Sequence, residues 1–191
     1  MAAGARLFAI RGYHSVGVEE IGRALGLTGP ALYRHFRSKE ALLVAVFDRV
    51  IERQLADVRN TVEGAPDADA ALAALVAAHV TFALEEREVL AIWRQEFANL
   101  PPEDSGRLRR LQRMYVEEWV EVLTAVRPEL AEHEARAVVH GTIALLQSPN
   151  EYHSGLSPDV LRALLTSMAM AALHQSATAG RATALDSVEP G

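Results

Sequence analysis

A guanidinium, an imidazole and a small methyl side chain stand close together at Arg34, His35 and Ala31, within the segment GLTGPALYRHF that runs from Gly26 to Phe36. On a helix, Leu32 and Phe36 lie four apart and point inward together, which leaves Ala31, Arg34 and His35 free to face a groove. The chemistry on offer is noncovalent, namely hydrogen-bond donation to base edges and phosphates. Bond-making chemistry is not expected, because the chain lacks a nucleophile elbow, a metal motif, a Gly-rich phosphate loop and a plausible acid–base pair. It also contains no cysteine, which removes disulfides, thiol nucleophiles and Cys-based zinc sites and fits a reducing compartment.

The elements that position these groups can be read locally. A first short helix over about Val18 to Leu25 turns Val18, Ile21 and Leu25 inward. Gly26 provides the backbone freedom of a tight turn, and Leu27 plugs the space between the two helices. Thr28 caps the second helix, about Gly29 to Phe36, and Pro30 falls in its first turn, where a missing N–H costs little. The result is a helix-turn-helix. A lone Gly turn would equally suit an ordinary helical hairpin, so the full string carries the argument.

Charge supports a DNA-facing end. Residues 1–50 hold seven basic and four acidic side chains, net +3, whereas the remaining 141 residues carry net -9. A segment able to meet phosphate thus sits on a body that phosphate repels.

Along the rest of the chain, apolar residues recur at three- and four-residue spacing without strand-like alternation, so the expected fold class is all-α with about nine helices. Ser38 is the expected N-cap of a long helix with a stripe of Leu43, Phe47, Val50, Leu55 and Val58. A break at Glu63-Gly-Ala-Pro-Asp67 precedes helices expected at about 67–84, 86–98, 104–126, 131–147 and 158–177. The expected domains are a DNA-binding head over residues 1–48, a helical body over 49–178 and a flexible tail over 179–191. The apolar stretch from Ala70 to Leu84 contains His79 and Thr81 and falls short of the roughly 20 residues that span a bilayer. With no secretory signal in view, a soluble cytoplasmic protein is expected.

The strings LFAIRGY, VEEIGRALGLT, LYRHF and SKEALL, over roughly residues 5–50, resemble the tetracycline-repressor-like (TetR/AcrR) family of bacterial transcription regulators. The resemblance implies a homodimer with two DNA-reading heads on two ligand-binding bodies, each recognition helix entering one half-site of a near-palindromic double-stranded operator. It implies no cofactor and no metal. Carried over by position, Tyr33 matches a phosphate-contacting tyrosine, and Thr28 matches a cap that also contacts phosphate or a base. Lys39, the only lysine in the chain, matches a phosphate-gripping lysine at a helix start. Val16-Gly17 replaces the family's usual Thr-Ser pair. Gly29, Pro30 and Ala31 place no long side chain at the front of the recognition helix. Polar readout then falls to Arg34, Thr28 and Tyr33, with Ala31 against a thymine methyl and DNA shape supplying the remainder. The first helix opens nearly at Met1 without the family's basic arm, so either phosphate contacts are fewer or the start lies upstream. These departures leave open a dimeric ligand-binding module with weakened or lost DNA binding.

In the body, His79, Phe82, Trp93, Phe97, Tyr115, Trp119, His140 and Gln147 are the expected lining of an apolar effector pocket, although each alone would serve as ordinary core. A lipid or acyl-CoA is the effector class considered, with Arg107, Arg109, Arg110 and Arg113 as a phosphate seat or else a solvated, ion-paired face. Dimerisation is expected through the last two helices, about 131–147 and 158–177, where Val160, Leu161, Leu164, Leu165, Met168 and Leu173 leave almost no polar face.

Overall fold

The computed structural model describes Gly17 and residues 36–150 and 154–175. The helix-turn-helix expected at 18–36, with Thr28, Gly29, Pro30, Ala31, Tyr33, Arg34 and His35, lies outside these residues, as does the tail at 179–191. The described residues form six α-helices and no strand: α1 (Lys39–Gly64), α2 (Ala68–Glu85), α3 (Arg87–Glu96), α4 (Pro102–Val126), α5 (Glu132–Gln147) and α6 (Pro158–His174). The fold is all-α, as the periodicity predicts.

The helix starts follow from local chemistry. Ser38, in extended conformation, accepts a hydrogen bond from the Ala41 N–H at 3.1 Å and opens α1. Asp67 does the same for α2, accepting from Ala70 at 2.8 Å, so the Pro66-Asp67 break is a helix stop and a cap in one. Ala131 has no side-chain acceptor, but Glu134 reaches back to its N–H at 2.9 Å and supplies half of a capping box for α5. The expected start of α4 at 104 is two residues late. Pro102 occupies the first helical turn rather than separating helices, because an N–H there has no partner to lose. The last helix stops at His174, three residues before its expected end at 177.

Two clusters of buried side chains divide the structure. The larger joins the second half of α1 (Leu55, Val58) to α2, α4, α5 and α6 around Leu72, Trp119, Leu123 and Val139. The smaller joins the first half of α1 (Leu42, Leu43, Val46, Phe47, Ile51) to α3, Leu100 and Leu108, with Phe36, Trp93 and Phe97 packed on it. The expected domain boundary at 48/49 therefore falls inside one unbroken 26-residue helix. Of the expected α1 stripe, all but Val50 are buried.

Helix α2 has a mean hydropathy of 1.5 over 18 residues, enough by length and composition to cross a membrane. Its burial tells another story. Ala71, Leu72, Leu75, Val76, His79, Val80 and Ala83 lie in the interior, and the helix packs against α1, α4, α5 and α6.

Arg127 closes the far end of the bundle. Its buried guanidinium donates to the carbonyls of Leu173 (3.0 Å) and Gln175 (2.6 Å) and pairs with Glu129 at 2.8 Å. It thus satisfies acceptors that the end of α6 leaves open. Arg127→Ala is expected to destabilise the fold by about 1–3 kcal/mol, the usual penalty for stranding buried polar groups. A urea midpoint unchanged from wild type would contradict that role.

Candidate functional site

A cavity of about 430 Å³ opens between α1, α2, α3, α4 and α5, within the size range of small-molecule sites. Six of the eight expected residues line it: His79, Phe82, Trp93, Tyr115, His140 and Gln147. The other two do not. Trp119 is fully buried one turn beyond Tyr115, with its ring edge on His79 at 5.9 Å, where it fills core. Phe97 lies in the short 3₁₀ turn after α3, stacked behind Trp93 at 4.3 Å and covered by Arg109 at 5.2 Å from its ring centre. Sequence reasoning missed Phe47, Val50 and Ile51, which form the α1 wall. Phe47 and Val50 read as part of an ordinary core stripe and Ile51 lay outside it, and nothing in a helical period says that part of that stripe faces a void. Arg136 and Glu117, which also line the cavity, pair with each other across α4 and α5, and Arg136 reaches Glu132 at 2.8 Å.

The arginine cluster at the start of α4 divides in space. Arg107 ion-pairs with Asp48 and, at 3.0 Å, with Asp104, tying α4 to α1. Arg109 and Arg113 line the cavity, and neither has an acidic partner among the described residues. Arg110 is exposed and lines no part of it.

The floor of the cavity is polar but uncharged. His79 is buried and its Nδ1 lies 2.7 Å from the Tyr115 hydroxyl, while its Nε2 faces the Gln147 amide nitrogen at 3.5 Å. With Gln147 oriented this way, Nε2 is the acceptor and Nδ1–H donates to the phenol oxygen. Burial lowers the His79 pKa to about 4 and pushes the Tyr115 phenol well up, so both are neutral at pH 7. The sign of the linkage follows. Unfolded His79 takes up a proton near pH 6.5 and folded His79 near pH 4, so its stability contribution is intact above 6.5 and is lost as pH falls toward 4. The loss amounts to about 3 kcal/mol at about 1.4 per unit. Thermal melts of wild type and His79→Gln between pH 7 and 4 are expected to diverge by up to one proton in slope, and parallel curves would refute the assignment.

Lys39, in the first turn of α1, is partly buried. Desolvation lowers its pKa, and the carboxylate of Glu96 opposes that shift. Glu96 is itself buried and receives the Asn99 amide at 3.3 Å. The lysine expected to meet DNA is thus electrostatically linked to the end of the helix that carries Trp93.

Comparison with known proteins agrees with the residues. The model of bacterial regulatory proteins of the tetR family matches residues 1–46, and that of the tetracyclin repressor-like C-terminal domain matches 65–151. The chain belongs to the TetR family of transcriptional regulators. The HTH-type transcriptional activator FasR of Mycolicibacterium smegmatis is 35% identical over 82 residues, which are 43% of this chain and 37% of that protein. This match therefore takes in little more than a third of the relative's length. Among solved structures, the TetR regulator PfmR of Thermus thermophilus superposes with a TM-score of 0.76 at 21% identity, covering 90% of this chain and 95% of that one. AibR, solved with isovaleryl coenzyme A and operator DNA, gives a TM-score of 0.72 at 18% identity, over 87% and 94%. At these identities the two structures establish the shared fold.

Proposed function

We propose that this protein is a ligand-responsive transcription regulator that binds a near-palindromic operator as a homodimer and is released by a small, largely apolar effector of the acyl-CoA class. The observation that carries the reading is the position of Trp93. Its ring is wall to the cavity and also packs edge-on to Phe47 at 4.8 Å, in the cluster against which Phe36, the last residue of the expected recognition helix, packs partly buried. An effector that shifts Trp93 therefore shifts the support of the head, and DNA and effector oppose each other by linkage. Arg109 and Arg113 at the cavity suit the phosphates of a coenzyme A thioester, and AibR offers a precedent for such a ligand on this fold.

The dimer surface follows from what α5 and α6 leave uncovered. Leu161, Leu165, Ala169 and Leu173 turn inward, whereas Val160, Leu164 and Met168 are 54%, 46% and 44% exposed. Beside them the exposed face of α5 carries Ala137, Gly141 and Ala144, small enough for a second copy to approach closely. Thr28, Tyr33 and Arg34 together with Lys39 at the start of α1 would supply the DNA contacts, with Gly29, Pro30, Ala31 and His35 on the recognition helix, on a head of residues 1–48.

Fluorescence-anisotropy titration of DNA from the gene's own upstream region, against random DNA at two salt concentrations, tests the reading. Tight, selective, salt-sensitive binding that weakens when an acyl-CoA is added is expected. Lys39→Ala should weaken binding to every sequence and flatten the salt slope by about one unit, whereas Arg34→Ala should mainly relax base choice. Binding without selectivity would instead favour a dimeric ligand-binding module whose DNA recognition is lost.

A further inference from the structure

The cavity does not end at His79. A second, open groove of about 720 Å³ runs between α1 and α2 on the other side of the same wall. Gln54, His79, Phe82 and Tyr115 line both spaces and so stand between them. Two of the four are held, since His79 and Tyr115 are buried and bonded to each other. Gln54 and Phe82 are only half-buried and can change rotamer without disturbing that pair.

The two openings carry opposite charge. The cavity side presents Arg109 and Arg113, beside the mutually paired Arg136 and Glu117. The groove side presents Asp57 and Glu85, which have no basic partner among the described residues, and the paired Arg53 and Glu86. An anionic group is therefore drawn to one opening and repelled from the other. Between the two stand Phe82, the neutral His79–Tyr115 pair and the apolar walls Val50, Ile51 and Val89, where a charge would be costly and a chain of methylenes is not.

We propose that cavity and groove are one slot for a linear amphiphile, with its anionic end at Arg109 and Arg113, its chain passing Phe82 and its uncharged end directed to the α1/α2 groove, so that the passage at Phe82 limits the accepted chain length. The proposal rests on the effector reading given above and adds the ligand's orientation and its length limit. It also places the chain end against α1, the helix that continues from the head.

Isothermal titration of the dimer with butanoyl-, octanoyl-, dodecanoyl- and hexadecanoyl-CoA, and with a dodecanoyl-CoA carrying an ω-carboxylate, tests it. In wild type, affinity should climb by about fourfold per enclosed methylene, from about 0.8 kcal/mol each, through the length that reaches Phe82, and level only where the chain end leaves the groove. Phe82→Trp, which narrows the passage, should move that plateau to shorter chains. Ala78→Trp, which fills the groove from an exposed position, should lower the hexadecanoyl-to-butanoyl affinity ratio at least tenfold. The ω-carboxylate should weaken dodecanoyl binding at least tenfold, because it meets Asp57 and Glu85. Thioesters that bind with a length profile unmoved by either substitution, and with no ω-carboxylate penalty, would overturn the slot and leave the effector reading standing. No binding at any length would overturn both.

Discussion

Leu164→Arg combined with Met168→Arg is expected to leave a folded monomer that has lost its operator. The two side chains are 46% and 44% exposed in a single chain, so the substitutions remove little from the protomer's own core, and helicity should be unchanged. In the proposed dimer, each would place a charge in a seam that the exposed Val160, Leu164 and Met168 make apolar. The loss on DNA is large because two linked heads bind with an avidity that neither has alone, about 100- to 10,000-fold beyond a single head. Light scattering after size exclusion reports the mass and anisotropy reports the affinity. A double variant that remains dimeric, or a monomer that binds the operator as tightly as wild type, would remove α6 from the interface.

Trp119→Ala should be among the most damaging single changes in the body. Trp119 is the largest of the fully buried side chains, at the centre of the cluster that joins α2, α4, α5 and α6. Truncation costs about 3–5 kcal/mol from lost burial and the cavity left behind. In a chain of this size that corresponds to a fall in melting temperature of about 6–20 °C. Its indole N–H makes no regular hydrogen bond, although it lies near enough to the Tyr115 oxygen to ease that phenol's ionisation slightly. Trp119→Phe should therefore cost much less than the alanine, since it keeps most of the apolar volume and removes a buried donor that lacks a partner. Equal losses for the two variants would show that the indole nitrogen, and not the ring's bulk, holds the site together.

Trp119 also shows where sequence reading stops. A helical period says that Phe82, Tyr115, Trp119 and Trp93 point inward, and all four are at least half-buried. It does not say which of them meet a void. That depends on how neighbouring helices pack, a property of surfaces brought together from distant parts of the chain. Trp119 is closed over by its neighbours, whereas Tyr115, one turn earlier, faces open space. The arginine cluster behaved in the same way. Four arginines within seven residues looked alike in the sequence, yet Arg107 is occupied by Asp48 from 59 residues away and only Arg109 and Arg113 reach the cavity. The α6 stripe, apolar almost all round, could be placed only once its inward half was known, because what is left over is the surface proposed for a second copy.

What the sequence determined by itself was local and periodic: an all-α chain, a helix start set by Ser38, a break at Pro66-Asp67, and a family shared with DNA-binding regulators through its first 46 residues. These follow from interactions spanning a turn or two, where caps, prolines and apolar spacing act directly on the backbone. Only the tertiary structure decided that Trp93 belongs to both the cavity and the cluster holding Phe36, that Glu96 faces Lys39, and that Gln54 and Phe82 separate two spaces of opposite charge. Those relations join α1 to α2, α3 and α4, and their geometry comes from close packing between helices, which no spacing within one helix encodes.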